Sequence, residues 1–201
     1  MAWSEQVPEL SVTRPFPTLE TKRLVLREII TSDAPALLQI HGDAELMRWF
    51  GTEPLKDLHA AIDLVDLFAS WRSLPNPGVR WGLQLKGELT LIGSCGLFGW
   101  NRNSRKCTLG YELARGCHGK GLMQEALNAA LDWGFNKMDL HRVEAQVHPS
   151  NAASLQSIRR LGFFEEGRLR EVGRWGGRFH DLLQFSLLRT EWTSLRGRAA
   201  D

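Results

Sequence analysis

Cysteine is scarce in this chain, and the few that occur are not spaced as a structural set. The 201 residues contain three, Cys95, Cys107 and Cys117. This odd number, without a CxxC pair, predicts neither a disulfide framework nor a zinc site. The six histidines also lack an HExxH or similar ligand spacing, so we expect no metal. Cysteine usage of this kind fits a reducing, cytoplasmic location.

Long hydrophobic runs are missing as well. No stretch of about 18 apolar residues occurs, and the chain does not start with a basic segment followed by an apolar one, so we expect no membrane span or export signal. A large charge of one sign is also lacking, because 25 Lys and Arg against 23 Asp and Glu leave a net charge of +2. Dedicated nucleic-acid binders usually carry a strongly basic stripe, so no direct nucleic-acid partner is predicted.

The composition that is present fits one globular domain. Hydrophobic residues make up 43% of the chain and charged residues 24%, which is enough to bury a core at this length. Residues 1–18 show no periodic pattern and are predicted to form an irregular arm. We expect the domain to occupy 19–192, followed by a short tail at 193–201.

Hydrophobic periodicity predicts a mixed α/β domain with the order strand, two helices, three strands, helix, strand, helix and two closing strands. The strands CTLGYEL and HRVEAQVH are joined by a helix, so we expect them to be parallel neighbours. The helices are predicted over roughly 33–48, 56–73, 119–135 and 151–161. Tryptophans within element patterns are expected in the core, namely Trp49, Trp71, Trp81 and Trp133.

The stretch ARGCHGKGLMQEAL, residues 114–127, places three glycines before an apolar helix pattern. It is not a nucleotide P-loop, because Ala114 takes the first glycine position and Gly121 the position of the magnesium-binding hydroxyl. It is not the dinucleotide fingerprint, since the glycine spacing is reversed. Two explanations stay open. One is a tight turn of left-handed glycines, and the other is a pyrophosphate site at a helix N-terminus, beside Arg115 and Lys120.

Further segments follow in a characteristic order: TKRLVLRE, LIGSCGL, LGYEL with HGKGLMQEAL, HRVEAQVHPSNAASLQSIRRLGF and EEGRLRE. Together they resemble the GNAT N-acetyltransferase superfamily, and within it the RimJ/RimL-like branch, over about residues 19–190. Each segment is weak alone, but the whole series in order is specific. The resemblance implies the acyl-CoA N-acyltransferase fold, a central and mostly antiparallel sheet, with parallel strands at the acetyl-CoA cleft, flanked by helices.

The resemblance also implies an enzyme that uses acetyl-CoA and no metal. The strand over 110–114 would pair with the pantetheine arm as an added strand does, and the amides of 117–122 would cradle the pyrophosphate. The family turn begins with Gln or Arg, but that position is Gly116 here, with Arg115 one place early. The cofactor-binding residues implied are Leu113, Ala114, Arg115, Cys117, His118, Gly119, Lys120, Gly121, Leu122, Asn151 and Ser154.

Acetyl transfer needs a neutral amine, a donor to the oxyanion and a proton for the departing thiolate. We expect the oxyanion donor to be the backbone amide near Leu113. Many relatives protonate the thiolate with a tyrosine at the position of Ile158, but the single tyrosine, Tyr111, lies elsewhere in the sequence. The RimJ/RimL-like branch has a serine three residues after Asn151, which makes Ser154 the candidate acid. Alternatively, Ser154 is an ordinary first-turn serine and Asn151 only an N-cap.

The demand for a base depends on the amine. An α-amine with a pKa of about 7.7–8.0 costs roughly 1 kcal/mol to deprotonate at pH 7, whereas a lysine near 10.4 costs about 4.6 kcal/mol. Glu144 lies on the polar side of its strand and Glu112 on the strand expected to hold acetyl-CoA, so either can act through a water. We rank Glu144 slightly first. The alternative for both is a partly exposed strand carboxylate paired with an arginine.

The acceptor is predicted to be a primary amine, either a peptide N-terminus or a small molecule. An acidic acceptor would be favoured if the basic segments converge on a cleft, although such runs are usually solvated. These segments are Arg102, Arg105, Lys106, Arg168, Arg170, Arg174 and Arg178. Two other classes stay open, a CoA-binding sensor without chemistry and, with less support, an RNA- or ribosome-binding module. A homodimer is also expected.

Overall fold

The computed structural model describes residues 15–198, which form eight β-strands and six α-helices. Most of the predicted arm and the end of the predicted tail lie outside the described residues. The strands and helices follow the predicted order, apart from a two-residue strand at the start, a split helix and an additional helix at the end.

All eight strands belong to one mixed sheet. They are β1 (Leu19–Glu20), β2 (Leu24–Arg27), β3 (Val79–Leu85), β4 (Leu91–Asn101), β5 (Lys106–Leu113), β6 (Arg142–Val147), β7 (Phe164–Trp175) and β8 (Arg178–Leu188). Their order is β1-β2-β3-β4-β5-β6-β8-β7, and every neighbouring pair is antiparallel except β5 and β6. The mixed α/β class and the parallel pair across a helical crossover are therefore confirmed.

The helices are α1 (Ala34–His41), α2 (Ala44–Met47), α3 (Leu58–Ser70), α4 (Leu122–Lys137), α5 (Ala152–Arg160) and α6 (Arg189–Arg198). Three of them start at a polar N-cap whose side chain accepts a backbone amide: Asp43 for α2, Asp57 for α3 and Asn151 for α5. Such caps satisfy amides that have no partner inside the helix. They explain where these helices begin.

The continuous helix predicted over 33–48 is wrong. Helix α1 ends two residues before Asp43, which adopts an extended conformation and accepts from the amides of Glu45 and Leu46. Aspartate is more favourable as a cap than inside a helix, so the chain restarts here as α2. The restart also matters for the glycine-containing stretch 114–127, because Asp43 pairs with Arg115.

Helix α6 crosses the predicted end of the domain. Trp192 is buried, packs on Phe135 of α4 and donates from Nε1 to Asp132 at 3.0 Å. Glu191 accepts from the Leu188 amide at the helix start. The polar sequence of α6 has no apolar periodicity, so tertiary packing fixes this helix. The domain limits at 19 and 192 stay a prediction.

Two apolar clusters form the core. The larger joins the sheet to α4, α5 and α6 around residues such as Trp81, Leu127 and Phe185. The smaller joins α1 and α3 to Leu91 of β4. Of the tryptophans expected in the core, Trp81 is fully buried, and Trp71 and Trp133 pack against the clusters. Trp49 differs, because it is half-buried and stacks on a histidine near the site.

Candidate active site

The parallel strands β5 and β6 separate after a short paired segment. Residues 106–108 pair with residues 142–144, but β5 continues to Leu113 and β6 to Val147. Strand β5 stays paired with β4 along this length, so the sheet opens between β5 and β6 alone. We call this opening, between 110–113 and 145–148, the cleft. Crevices beyond the carboxyl ends of parallel strands are common ligand sites.

One wall of the cleft is backbone. The Ala114 amide donates to the Ile92 carbonyl at 2.8 Å, which makes these residues a hydrogen-bonded pair across β5 and β4. Because such pairs alternate, the backbone groups of Tyr111 and Leu113 point away from β4 and toward the cleft. The Leu113 amide, which is expected to bind the oxyanion, points toward the cleft. The Tyr111 amide points the same way. The ring of His118 lies at this wall, with Nε2 2.7 Å from the Leu113 carbonyl.

At the end of β5 the chain forms the glycine turn, residues 115–121. Gly119 and Gly121 have φ values of 71° and 72°, and Gly121 is the N-cap of α4. Side chains are unfavourable in this left-handed region, which accounts for both glycines. Gly116 has no positive φ, so left-handed geometry applies to two of the three glycines.

The first amides of α4 and of the residues before it are available to a ligand. Within residues 15–198, the amides of residues 119–124 have no hydrogen-bond acceptor. Cys117 and His118 differ from the prediction, because their amides donate to the carbonyls of Ala114 and Arg115 at 2.9 and 3.1 Å. Of the amides expected to form the cradle over 117–122, those of 119–122 are therefore the ones without an acceptor in the described residues. A helix N-terminus with free amides attracts anions.

Basic side chains at the glycine turn are engaged by the protein. Arg115 donates twice to Asp43, each time at 2.5 Å, and this hydrogen bonding lowers the pKa of the Asp43 carboxyl. Lys120 donates from Nζ to the Gly116 carbonyl at 2.7 Å, and Arg23 donates to the Lys120 carbonyl at 2.9 Å. These contacts fix the shape of the turn, and its backbone amides remain the groups open to an anion.

On the far side of the cleft, α5 begins with the two residues expected there. The Asn151 side chain accepts from the Ser154 amide at 3.1 Å, so the N-cap role is real. Ile158 is fully buried in the core. The Ser154 hydroxyl lies 2.7 Å from the hydroxyl of Tyr111, whose ring reaches across from β5. Tyr111 lies on β5, away from the Ile158 position as expected. No local pattern indicates its contact with Ser154, because 43 residues separate the two.

Glu112 is enclosed in a polar network below β5. Its carboxylate is buried and bonds to the guanidinium of Arg80, the hydroxyl of Ser94 and, at 3.2 Å, to His41 Nε2. Burial raises the pKa of Glu112, but the charge of Arg80 and the hydrogen bonds outweigh it, so the pKa is lowered overall. The carboxylate is thus held ionised. Glu112 has the arginine partner of the alternative, but it is buried rather than partly exposed.

Glu144 is also paired. It occupies the last paired position of β6 before the cleft opens, opposite Thr108. Arg142 donates from Nε to Glu144 at 2.8 Å, and Lys106 Nζ lies 3.3 Å from both carboxylate oxygens. The same arginine binds Glu166, and this hydrogen bonding lowers the pKa of Glu166 to about 2. Glu144 therefore belongs to an ion-pair network that joins β5, β6 and β7.

A group of rings that the sequence did not indicate lies where β6 ends, and we call it the imidazole cluster. Trp49 stacks on His148 at 4.0 Å between centroids, and Trp175 stacks on His180 at 3.8 Å. The Trp175 carbonyl can only accept, so His180 Nε2 donates to it at 3.1 Å and Nδ1 is left to accept from His148 Nε2 at 3.4 Å. His148 Nδ1 accepts from the Ser150 amide at 3.1 Å.

This arrangement fits two neutral rings, because each nitrogen already has a partner of the right kind. Burial, followed by the nearby His180, Arg178 and Arg48, lowers the pKa of His148, and Asp181 opposes the shift. The cluster ties three segments together, since the Trp175 indole also donates to the Arg48 carbonyl at 3.0 Å. The chain after α2, the end of β6 and the β7–β8 hairpin therefore meet beside the cleft.

Several residues of the basic segments already have partners. Arg105 pairs with Asp139 at 2.6 Å and Arg168 with Asp181 at 2.8 Å. Arg174 lies over the Phe179 ring. These partners reduce the charge that the segments offer to an acceptor.

Within the described part of the chain, no helix is both long and apolar enough to cross a membrane. No set of three or more His, Cys, Asp or Glu in residues 15–198 is placed to hold a metal ion. The cysteines are free, and burial raises the pKa of the Cys95 thiol to about 12.

Comparison with known proteins adds to this geometry. The family described as "Acetyltransferase (GNAT) domain" matches residues 23–164. The N-acetyltransferase p20 of Bacillus licheniformis is 34% identical over 87% of this chain and 98% of its own length. The [Ribosomal protein uS5]-alanine N-acetyltransferase of Escherichia coli is 30% identical over 87% of this chain and 92% of its own.

A solved structure shows the same fold. Mycobacterium smegmatis RimJ, in complex with CoA-disulfide, superposes with a TM-score of 0.80 at 23% identity, covering 91% of this chain and 93% of that one. The resemblance that the sequence motifs indicate is therefore confirmed, in family and in fold.

Proposed function

The chain belongs to the GNAT acetyltransferase family, and from this premise we propose that it acetylates the α-amine of a peptide or protein N-terminus with acetyl-CoA. That it is an N-acetyltransferase acting on an amine follows from the family. The donor, the kind of amine and the residues involved are the proposal.

The observation that carries the choice of an α-amine is the state of the two carboxylates that the sequence offers as bases. Glu112 is locked against Arg80, with a lowered pKa, and Glu144 is held by Arg142 and Lys106. Both carboxylates are already engaged by cationic side chains, so neither is a free base for the amine. An α-amine needs about 1 kcal/mol to become neutral at pH 7 and a lysine about 4.6 kcal/mol, so a site without a strong base favours the former.

For the donor, the free amides from Gly119 to Leu122 support binding of the pyrophosphate of acetyl-CoA. The unpaired edge of β5 over 110–113 supports pairing with the pantetheine arm. Asn151 and Ser154, across the cleft, would flank the same arm. Arg115 and Lys120 would act mainly by shaping the turn, because their side chains already have partners.

The reaction proceeds in one site by direct attack. The neutral amine nitrogen bonds to the thioester carbon, and the oxyanion accepts a hydrogen bond from the Leu113 or Tyr111 amide. The carbon–sulfur bond then breaks, the thiolate takes a proton from the Ser154 hydroxyl, and the proton lost by the amine returns to that oxygen through water. The products are the N-acetyl amine and CoA.

The relative from Escherichia coli named as a ribosomal-protein alanine N-acetyltransferase makes a peptide with an N-terminal alanine the natural first probe. An acidic acceptor, a homodimer and a cytoplasmic location are further parts of the proposal. An acidic acceptor has the least support, because several of the basic residues are paired.

Thiol release from acetyl-CoA with two matched peptides tests the proposal. One peptide has a free N-terminal alanine and an acetylated lysine, and the other has an acetylated N-terminus and a free lysine. The neutral amine fractions differ by about 300-fold at pH 7, so we expect kcat/KM to favour the first peptide by about that factor. Equal rates would overturn the α-amine assignment. Failure of any amine to release thiol, with acetyl-CoA bound, would overturn the enzymatic function.

A further inference from the structure

Tyr111 spans the floor of the cleft. Its backbone belongs to β5, one wall, and its hydroxyl lies 2.7 Å from Ser154 Oγ in the first turn of α5, across the cleft. The same hydroxyl lies 3.4 Å from the Ser154 carbonyl. A half-buried serine hydroxyl would otherwise rotate freely about its Cβ–Oγ bond, so a fixed partner defines where its lone pairs and its proton point.

We propose that Tyr111 is the positioning residue for Ser154 in the proposed acetyl transfer. In this role the phenol donates to Ser154 Oγ at 2.7 Å, the shorter of its two contacts, rather than to the Ser154 carbonyl at 3.4 Å. The serine proton is then free to be donated into the cleft. This inference rests on the proposed function, since it names the residue through which the candidate acid acts.

The burial of Tyr111 fits a positioning role. Burial raises the pKa of Tyr111 to about 12, so the phenol keeps its proton and remains a hydrogen-bond donor. An alkyl thiol such as cysteine has a pKa of about 8.5, so a hydroxyl can protonate the departing thiolate only if it regains a proton from the amine in the same step. In the positioning role the tyrosine keeps its proton, and Ser154 passes its own proton to sulfur and recovers one from the amine through water, so the protons balance.

A double-mutant cycle separates positioning from structure. We expect Tyr111→Phe to lower kcat about tenfold, the effect of one hydrogen bond in a reaction path, with KM for acetyl-CoA within about twofold. Ser154→Ala should lower kcat by about 100-fold, as loss of a general acid does. The double variant should match Ser154→Ala, because the phenol has nothing left to orient.

Ser157→Ala is the matched control. Ser157 lies on the same helix, is partly exposed and donates to the Ala153 carbonyl, so kcat should stay at the wild-type value. The inference is overturned if Tyr111→Phe has wild-type kcat, or if it lowers the kcat of Ser154→Ala by a further tenfold, as an independent structural effect would. Absence of thiol release from the wild-type protein would instead contradict the proposed function, so the two failures are distinct.

The single tyrosine of the chain provides a second readout. Biosynthetic 13C labelling of tyrosine places one signal, the Tyr111 Cζ resonance, in the spectrum. We expect Ser154→Ala to shift it and Ser157→Ala to leave it in place. An unshifted resonance in folded Ser154→Ala would overturn the hydrogen bond on which the inference rests.

Discussion

At the scale of the residue, the two glutamates considered as bases both serve as anchors. Glu112 neutralises Arg80, whose guanidinium lies among the rings of Phe68, Trp71 and Phe50. Buried charges persist only when they are paired and hydrogen-bonded. The alternation of β5 indicates the face on which Glu112 lies, but its partners come from distant segments, so the sequence could not show whether this carboxylate was free.

Replacing Glu112 by Gln tests this role. Arg80 would be left buried without its counter-ion, so we expect the free energy of unfolding to fall by about 3 kcal/mol. The matched change Glu144→Gln, in a partly exposed pair, should cost less than about 1 kcal/mol. Urea unfolding curves measure both. A Glu112→Gln protein with wild-type stability and no turnover would show that the carboxylate acts as a base.

At the scale of the element, short segments meet beside the cleft through the imidazole cluster. Its hydrogen bonds require neutral rings, because protonated His148 and His180 would turn two N–H groups toward each other. Arg48 and Arg178 add positive charge nearby, and Asp181 is the acidic group that opposes them. Protonation would therefore break the contacts through which the cluster holds these three segments together, so the contacts depend on pH.

The pH dependence has a defined sign. The pKa of His148 is lowered in the folded protein, so the unfolded chain binds more protons once the pH falls below the ordinary histidine value of about 6.5. The contribution to stability is complete above that pH and is lost as the pH falls toward the lowered folded pKa. We expect the loss to be small, because the ring is only partly buried and solvent screens the nearby charges.

Urea unfolding at pH 7.5 and 5.5 checks this expectation. In His148→Gln the difference between the two pH values should shrink, whereas in His59→Gln, whose side chain is 85% exposed, it should match the wild type. Identical differences in all three proteins would show that His148 does not carry the effect.

Elements differ in how far the sequence predicts them. The parallel pairing of β5 with β6 follows from the helix between them, and the left-handed Gly119 and Gly121 follow from turn chemistry. Helix α6 does not, because its helical state depends on Trp192 packing. The Tyr111–Ser154 contact and the stacking of Trp49 on His148 join residues far apart in the sequence, so no local pattern predicts them. The family resemblance identified Asn151 and Ser154 of α5 as candidate site residues, and composition alone could not have done so.

At the scale of the whole molecule, acetyl-CoA should stabilise the folded state. At about a hundredfold excess over Kd the ligand adds about 2.7 kcal/mol, or roughly 5–11 °C in Tm for a chain of this length. Gly119→Glu places a negative side chain at a left-handed position before α4, so we expect it to abolish the shift. Scanning calorimetry with and without acetyl-CoA measures this. A shift that survives in the variant would locate pyrophosphate binding elsewhere.

The sheet has its shortest internal pairing between β5 and β6, where three residue pairs, at 106–108 and 142–144, join its two parts. Helix α4 packs on β1, β2 and β4, whereas α5 packs on β6 and α6 on β8. The two parts also share one core, in which Trp192 of α6 packs on Phe135 of α4. A substrate that lies along the cleft and touches both β5 and α5 adds a further link between the parts, so we expect the loaded protein to be stiffer there than the free protein.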